Sequence, residues 1–400
     1  MKVSLFRAGL GQRLMSALLL CLLCFALPLQ AQEVDSPRPQ TMIPSPPSLA
    51  ASSWILMDAD TGEVLVSHNA DERLPPASLT KLMTAYLVEH ELSRGNIDRD
   101  DQVLVSEKAW RTGGSRMFIQ EGSQVSVDQL LQGVIIQSGN DASVALAEHI
   151  AGGESAFADL MNQQADRMGM VNTHFANATG LPHENHYSSA HDLALLARHI
   201  INDYPEQYKV YAEKEYTYND IRQPNRNRLL WRDSSVDGLK TGHTEAAGYC
   251  LVASAKRDDM RLISVVMGTD SDEARAQESQ KLLSYGFRFF ETMELYPQGA
   301  VLATPRIWGG EKNDLRLGVD REVRMTVPRG RGEELAARLN LPESIDAPVE
   351  AGERLGTLEI KLGDEVIGER PLVALESIDQ GGIFKRLLDT VRRFISGLFD

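Results

Sequence analysis

The segment Pro76–Val88, P-A-S-L-T-K-L-M-T-A-Y-L-V, has the spacing of a helix that packs one apolar face against a core. Five residues form that face: Leu79, Leu82, Met83, Tyr86 and Leu87. Pro75 and Pro76 set the start of the helix, so Ser78 lies in its first turn. Ser78 and Lys81 are three residues apart, which places their side chains next to each other on one helical face. A lysine held beside a serine and an apolar face needs a chemical explanation.

A serine three residues before a lysine is common by chance, and alone it indicates only a helix cap and a solvated lysine. Two further segments change that interpretation. S-G-N at 138–140 separates two helical stretches, and K-T-G at 240–242 precedes a strand-like run, Tyr249–Ser254. Each segment alone is explained by a turn, in which Gly242 leaves room for a second backbone to approach. Together, and in this order, S-x-x-K, S-x-N and K-T-G are the signature set of penicillin-binding proteins and class A β-lactamases.

The sequence resembles the serine D-alanyl-D-alanine carboxypeptidases, the low-molecular-mass penicillin-binding proteins of the penicillin-binding protein 5/6 type. Besides the three motifs, the resemblance rests on H-T after K-T-G, on Y-S-S-A at 187–190 and on R-Q-P-N-R-N at 222–227. It covers nearly the whole chain after the first 31 residues. The resemblance implies an α+β fold with a β-lactamase/transpeptidase-like catalytic domain, built from an antiparallel sheet and a helical cluster. A small all-β domain and a C-terminal amphipathic helix are expected to follow.

The activity implied by the resemblance is removal of the terminal D-alanine from peptidoglycan stem pentapeptides ending in D-Ala-D-Ala, through an acyl-enzyme. β-Lactam antibiotics are the implied inhibitors, because their strained ring presents a similar acyl group and carboxylate. The resemblance implies catalytic roles for four residues. Ser78 is the nucleophile, Lys81 is its base, Ser138 relays a proton to the leaving nitrogen, and Asn140 orients Lys81 and the substrate amide.

The resemblance also implies a set of substrate-binding residues: Lys240, Thr241, Gly242, His243 and Arg226. Lys240, Thr241 and Arg226 are expected to bind the terminal carboxylate of the substrate, which is the mark of an exopeptidase substrate. The backbone N–H groups of Ser78 and His243 are expected to form the oxyanion hole.

The chemistry of the motif predicts the surroundings of Lys81. A serine hydroxyl is a poor nucleophile at neutral pH and needs a base within hydrogen-bond reach. A free lysine has a pKa of about 10.4, so Lys81 can act as that base only if burial and a nearby cation lower its pKa. We therefore expect Lys81 to be buried, with Lys240 supplying the cation.

The first 31 residues have the features of a secretory signal peptide. Lys2, Arg7 and Arg13 give a positive start, Leu14–Leu27 is apolar, and Ala31 offers a small residue for cleavage. A retained transmembrane anchor is the alternative, but the apolar run is shorter than the roughly 20 residues that a span needs. The following segment, 32–50, is a Pro-rich leader. We predict an exported, periplasmic protein.

Charge and cysteine content limit the partners of the exported chain. Loss of three basic residues with the signal peptide takes the formal net charge from −15 to −18. A surface this acidic argues against nucleic acid as a partner. Cys250 is the one cysteine left after cleavage, so the protein depends on core burial rather than on an internal disulfide. The sequence is compatible with a homodimer but does not require one.

Residues 51–294 are predicted to form the catalytic domain. Ser53–Met57 and Glu63–Ser67 read as a β-hairpin. Helical spacing covers four segments: Ser126–Gln137, Ala142–Ile150, Ser155–Met168 and Ala190–Ile201. Two strand-like runs, Tyr249–Ser254 and Met260–Met267, and a helix over Glu273–Thr292 complete the domain. Strands at both ends with helices between them predict one antiparallel sheet shared by the two ends.

Residues 295–379 read as a small all-β domain, because short β-like runs alternate with Gly- and Pro-bearing turns. The tail, 380–400, has an apolar helical stripe opposite a basic face. The stripe consists of Ile383, Phe384, Leu387, Leu388, Val391, Phe394, Ile395, Leu398 and Phe399, and the basic residues are Lys385, Arg386, Arg392 and Arg393. We favour a helix lying in the plane of the membrane, on the outer face of the inner membrane, over one packed on a core.

No cofactor and no metal are expected. Four histidines lie close together in sequence, at 174, 183, 186 and 191, but neither H-E-x-x-H nor C-x-x-C accompanies them. The loop that contains them, Asn172–Ala190, is instead expected to border the active site.

Related functions remain as alternatives. A class A β-lactamase would need a glutamate in that loop to drive deacylation, and the context of Glu184, P-H-E-N-H, does not fit the pattern of those enzymes. A DD-endopeptidase of the same superfamily is a closer competitor, while a transpeptidase would come with a larger chain. A non-catalytic peptidoglycan-binding protein has no need of the complete motif set.

Overall fold

The computed structural model describes residues 43–396, with side chains as far as residue 393. The predicted signal peptide and most of the Pro-rich leader fall outside the described residues. The described chain begins with mixed helix and sheet, continues into a β-rich part and ends in a helix. This is the α+β fold that the sequence predicts.

A five-stranded antiparallel sheet forms the centre of the first part. Its strands are β1 (Ser53–Asp58), β2 (Val64–His68), β3 (Val236–Thr244), β4 (Gly248–Arg257) and β5 (Met260–Thr269). They lie in the order β2-β1-β5-β4-β3, so the N-terminal hairpin pairs with the later strands as predicted. The strand that carries K-T-G, β3, is at an edge of this sheet.

Both faces of the sheet are packed. In β1 the side chains of Ile55 and Met57 enter one apolar cluster, while Trp54 and Leu56 enter another. Because successive side chains of a strand point to opposite faces, this alternation buries β1 along its whole length.

Five longer helices pack around the sheet: α1 (Lys81–Ser93), α2 (Asn140–Ala151), α3 (Glu154–Arg167), α4 (Ala190–Asp203) and α5 (Asp272–Phe289). Serine side chains cap two of them, Ser189 before α4 and Ser271 before α5. Shorter helical turns are Ala77–Thr80, Glu107–Arg111, Val127–Gln132 continuing as a π-helix over Gly133–Gln137, Gln207–Ala212 and Leu229–Arg232. Two small hairpins pair Gln102–Leu104 with Gln124–Ser126 and Glu215–Tyr218 with Ile221–Pro224.

Helix α1 lies deeper than its sequence pattern predicts. A single apolar face was expected, but every residue from Lys81 to Glu89 is buried, including the polar ones. Thr84 satisfies its hydroxyl by donating to the carbonyl of Ala178 at 2.7 Å. The helix is therefore a central element, and its first residue starts inside the protein.

The prediction that one helix covers Glu273–Thr292 is wrong at its C-terminal end. Helix α5 ends at Phe289, and Phe290–Tyr296 is a strand that pairs with Val323–Pro328. The strand also connects to β1, because Thr292 donates its hydroxyl proton to the buried carboxylate of Asp58 at 2.5 Å. Pairing with a distant strand outweighs the helical spacing at these positions.

The β-rich part is built around a second five-stranded sheet. Its strands, in spatial order, are Val301–Ala303, Leu317–Gly318, Glu365–Ala374, Arg354–Leu362 and Leu335–Asn340. A short parallel pair, Ile307–Trp308 with Ile345–Asp346, and a 3₁₀ turn, Gly332–Glu334, complete it.

The chain continues into helix α6 (Ile383–Ser396), at the position of the predicted amphipathic tail. Large apolar side chains on this helix are exposed, among them Ile383 and Phe384. Within residues 43–396, no helix combines the length and the apolar character that a membrane span requires.

Candidate active site

An open cleft of about 820 Å³ lies where the S-x-x-K turn, the S-G-N turn and the K-T-G strand meet. Ser78, Ser138 and Asn140 line it from the helical side, and Thr241 and His243 line it from β3. The sequence therefore predicts correctly that three segments far apart in the chain come together in space.

Ser78 lies in the 3₁₀ turn that leads into α1, and Lys81 is the first residue of α1. The Nζ atom of Lys81 donates to Ser78 Oγ at 3.0 Å and to the carbonyl oxygen of Thr179 at 2.6 Å. Lys81 is 1% exposed, whereas Ser78 is partly exposed and lines the cleft. The serine hydroxyl thus faces the cleft, with the amine behind it.

The surroundings of Lys81 favour its neutral form. Burial, followed by repulsion from the guanidinium of Arg226, lowers the pKa of Lys81 to about 7, and the carboxylate of Asp141 acts in the opposite direction. A neutral amine keeps two N–H donors and gains a lone pair. It can therefore still donate to the Thr179 carbonyl while it accepts a proton from Ser78.

The position of Ser78 depends on two glycines that let other segments approach its turn. A Cβ on Gly242 of β3 would lie 2.9 Å from the carbonyl oxygen of Pro76. A Cβ on Gly180, whose φ is +81°, would lie 1.8 Å from the carbonyl oxygen of Ala77. Any side chain at Gly180 would therefore collide with the backbone next to Ser78.

Ser138 occupies a left-handed conformation, with φ 66° and ψ 36°, directly after the π-helical turn. Its Oγ atom is buried and has no hydrogen-bond partner among residues 43–396, and the same holds for Oδ1 of Asn140. The amide of Asn140 donates to the carbonyl of Gly113 at 2.6 Å. Buried polar groups without partners are costly, and at a cleft wall they indicate groups that are ready for a ligand.

Asp141, the residue after S-G-N, holds in place the segment that follows Ser115. Its carboxylate accepts backbone N–H bonds from Met117 at 2.8 Å, from Phe118 at 2.8 Å and from Ile119 at 3.3 Å. This fixes the segment that leads from Gly114 and Ser115, which line the cleft.

Lys240 is buried within β3, at 3% exposure, and its Nζ donates to the carbonyl of Thr241 at 3.1 Å. Burial, followed by repulsion from Lys81 and Arg226, lowers the pKa of Lys240. We expected Lys240 to be the cation near Lys81, and the two amines do repel each other; the guanidinium of Arg226 is a further cation that lowers the pKa of Lys81.

Arg275 is a cleft residue that no sequence motif predicts. It is 6% exposed, and its Nη1 donates to the carbonyl of Gly242 at 3.1 Å. An ion pair with Asp272 and the ring of Tyr249, 5.5 Å from its Cζ, hold the guanidinium in place. Arg275 lies in α5, in a segment of charged residues, and nothing in its local sequence distinguishes it from a solvated arginine.

The loop Asn172–Ala190 borders the cleft as predicted, through Thr179, Gly180 and Leu181. Among its histidines, His186 is buried and structural: its Nδ1 accepts from the Ala176 N–H at 3.1 Å, and its Nε2 lies 2.7 Å from Thr80 Oγ1. Burial lowers the pKa of His186 to about 4, so it is neutral at pH 7. The part of the chain that the structure describes contains no group of three or more potential metal ligands.

Two family models match the chain in separate segments. The model for D-alanyl-D-alanine carboxypeptidase matches residues 40–271, and the model for the C-terminal domain of penicillin-binding protein 5 matches residues 290–380. The first segment contains all three motifs and most of the cleft.

Individual relatives are similar to this chain over most of the length of both proteins. D-alanyl-D-alanine carboxypeptidase DacC of Escherichia coli is 48% identical over 353 residues, which are 86% of this chain and 88% of the relative. DacA of the same organism is 44% identical, over 92% of this chain and 94% of the relative. The crystal structure of penicillin-binding protein 5 from Haemophilus influenzae superposes with a TM-score of 0.80 at 43% identity, covering 84% of this chain and all of that one. This chain therefore belongs to the D-alanyl-D-alanine carboxypeptidase family.

Proposed function

We propose that this chain is a serine DD-carboxypeptidase in which Ser78 is the nucleophile and Lys81 is its general base. One observation supports this most strongly: a lysine 1% exposed, with a pKa near 7, has its Nζ 3.0 Å from the hydroxyl of Ser78. An amine whose neutral form is well populated near pH 7 and that lies within hydrogen-bond distance of a hydroxyl is suited to accept its proton.

In the proposed reaction, Ser78 Oγ attacks the carbonyl carbon between the last two D-alanines and passes its proton to Lys81. The backbone N–H groups of Ser78 and His243 take the charge that develops on the carbonyl oxygen. Ser138, whose hydroxyl has no partner among the described residues, relays a proton to the leaving D-alanine nitrogen. Asn140 holds the substrate amide through its unpaired Oδ1. Water then hydrolyses the acyl-enzyme.

The cationic end of the cleft would bind the carboxylate of the terminal D-alanine. Thr241 and Arg226 line this end, Lys240 lies behind it in β3, and Arg275 is held against the Gly242 carbonyl. An arriving carboxylate favours the protonated form of Lys240, so substrate binding itself would restore the charge that burial opposes. A site that requires a free carboxylate removes terminal residues, which favours carboxypeptidase over endopeptidase activity.

Hydrolysis of β-lactams is the second candidate function, since penicillins should acylate Ser78. A β-lactamase needs a base that activates the deacylating water. Glu184 is exposed and lines a separate pocket beside Pro75 and Pro182, not the cleft that contains Ser78. The proposed enzyme therefore forms a long-lived adduct with penicillins and turns them over slowly.

We further propose the predicted organisation of the chain: a signal peptide at 1–31, a leader at 32–50, a catalytic domain at 51–294, a β-rich domain at 295–379 and an anchor at 380–400. In this proposal the protein is periplasmic, and α6 attaches it to the outer face of the inner membrane. The exposed apolar side chains of the helix and its basic residues support attachment to an anionic lipid surface.

Replacement of the proposed nucleophile is expected to abolish both reactions. Ser78→Ala should lower D-alanine release from diacetyl-Lys-D-Ala-D-Ala by on the order of 10⁶-fold, the scale for loss of a serine nucleophile. It should also prevent formation of the penicillin adduct, measured by intact-protein mass. Ser93→Ala, an exposed serine at the end of the same helix, is the matched control and should behave as wild type. An adduct of normal yield on Ser78→Ala would contradict the proposal.

The pH dependence of acylation should report the proton on Lys81. Only the neutral amine accepts a proton, so the second-order rate of penicillin acylation should rise with pH, with a midpoint at about 7. In Arg226→Gln the midpoint should move to higher pH, because the cation that disfavours protonated Lys81 is gone. Arg228→Gln, which removes another cleft arginine, is the control and should leave the midpoint in place. A midpoint that is the same in all three proteins would count against the assignment.

Membrane attachment is tested by removing the tail. A chain that lacks residues 383–400 should no longer sediment with vesicles containing phosphatidylglycerol, because both the apolar stripe and the basic residues are lost. Its D-alanine release should stay at the level of the full chain. Continued sedimentation of the shortened protein would disprove the anchor.

A further inference from the structure

Helix α6 is attached to the β-rich domain along one side. The attached residues are Lys385, Asp389 and Arg393, which follow each other at four-residue intervals. Residues at this spacing lie on one face of a helix. The side of α6 that carries these three residues therefore packs against protein, although charged side chains usually face water.

Asp389 is the centre of this attachment. It is 3% exposed, and its carboxylate accepts from Arg306 Nη2 at 2.9 Å and from the Gly309 N–H at 3.2 Å. Burial alone would raise the pKa of Asp389, but the hydrogen bond from the Gly309 N–H and the hydrogen bond and charge of Arg306 outweigh it and lower this pKa. A buried carboxylate is stable only with such partners, so the contact exists only when the helix is docked.

Two further contacts flank Asp389. One turn before it, Lys385 Nζ donates to the carbonyls of Gly310 and Lys312, the latter at 2.8 Å. One turn after it, Arg393 donates to Asp346 Oδ1 at 2.8 Å and to Ser344 Oγ at 2.6 Å. The Arg393–Asp346 pair is about half exposed and contributes little alone, so the buried carboxylate is the decisive group.

The opposite face of α6 consists of large apolar side chains that nothing in residues 43–393 covers. Exposure is 82% for Ile383, 85% for Phe384, 63% for Leu387, 59% for Leu388 and 49% for Val391. Contiguous exposed apolar surface of this kind marks an interaction site. Two basic residues, Arg386 and Arg392, are also exposed on the helix, and they suit a lipid surface with negative head groups.

We propose that Asp389 is a positioning residue that attaches α6 to the β-rich domain before the protein binds a membrane. The apolar face of the helix is then already exposed for contact with lipid. This inference rests on the membrane attachment proposed above and adds how the helix is held. An isolated helix of 14 residues is marginal in water. Docking supplies the missing stability, so binding to lipid need not order the segment, and the protein body takes one orientation on the membrane.

Hydrogen exchange of the full chain in aqueous buffer tests the docking. Amides of residues 383–396 should be protected in the wild type, and Asp389→Ala should exchange there at least about 10-fold faster. Arg306→Gln should give the same local loss, with little further loss in the double variant, because both residues belong to one contact. Asp364→Ala, at an exposed turn of the β-rich domain, is the matched control and should leave the helix protected.

Either of two results would overturn the inference: an unprotected helix in the wild type, or unchanged protection in Asp389→Ala. D-alanine release by each variant checks that the catalytic domain is intact. Sedimentation with vesicles of phosphatidylglycerol and phosphatidylethanolamine provides a separate measurement, in which Asp389→Ala should bind about 10-fold more weakly. A wild-type helix that is protected but fails to bind vesicles would disprove membrane attachment and leave the docking intact.

Discussion

The site depends on one unfavourable placement: an amine that water would keep charged is buried beside a serine hydroxyl. Burial disfavours the ammonium form of Lys81, and repulsion from Arg226 acts in the same direction, while Nζ keeps its hydrogen bonds to the Thr179 carbonyl and to Ser78 Oγ. A lysine of ordinary pKa would be protonated at neutral pH and could not accept a proton. The chemistry assigned to this protein therefore follows from the exclusion of water around one nitrogen.

Much of the surrounding fold serves this exclusion. Helix α1 is buried from its first residue, and β3 and the loop after Asn172 both press against the turn that holds Ser78. Glycines at 180 and 242 make these approaches possible, because any side chain there would collide with the turn. The interior of the catalytic domain and its active site are thus parts of the same packing arrangement.

The cationic groups around the cleft have two separate effects: one lowers the pKa of Lys81, and the other favours binding of a carboxylate. Arg226, at the cleft surface, lowers the pKa of Lys81, and Arg275 is held by its hydrogen bond to the Gly242 carbonyl. The buried amine of Lys240 is the group whose charge depends on what is bound, since a carboxylate beside it favours protonation. In the proposed mechanism, two different lysines therefore handle the substrate carboxylate and the proton of Ser78.

The sequence predicted which residues form the site better than it predicted the contacts between distant segments. Three short motifs identified the residues that meet in the cleft, and the strand and helix patterns predicted the shared antiparallel sheet, because motif spacing and hydrophobic period are local properties. What it missed depends on distant contacts. Phe290–Tyr296 is a strand because a partner strand lies beside it, and Arg275 is a cleft residue because α5 crosses behind β3. The Thr179 carbonyl belongs to the backbone, so no pattern of side chains in the sequence predicts that it accepts from Lys81.

A direct titration of the Lys81 side chain tests the central claim most closely. In protein labelled with ¹³C and ¹⁵N at lysine, the Nζ and Cε signals that are missing from the Lys81→Arg spectrum belong to Lys81. Their chemical shifts can be followed by NMR from about pH 5 to about pH 11, a range that includes the ordinary pKa of a lysine side chain. We expect a midpoint near 7 for Lys81 in the free enzyme. A midpoint near the value of about 10.4 for a solvated lysine would contradict it.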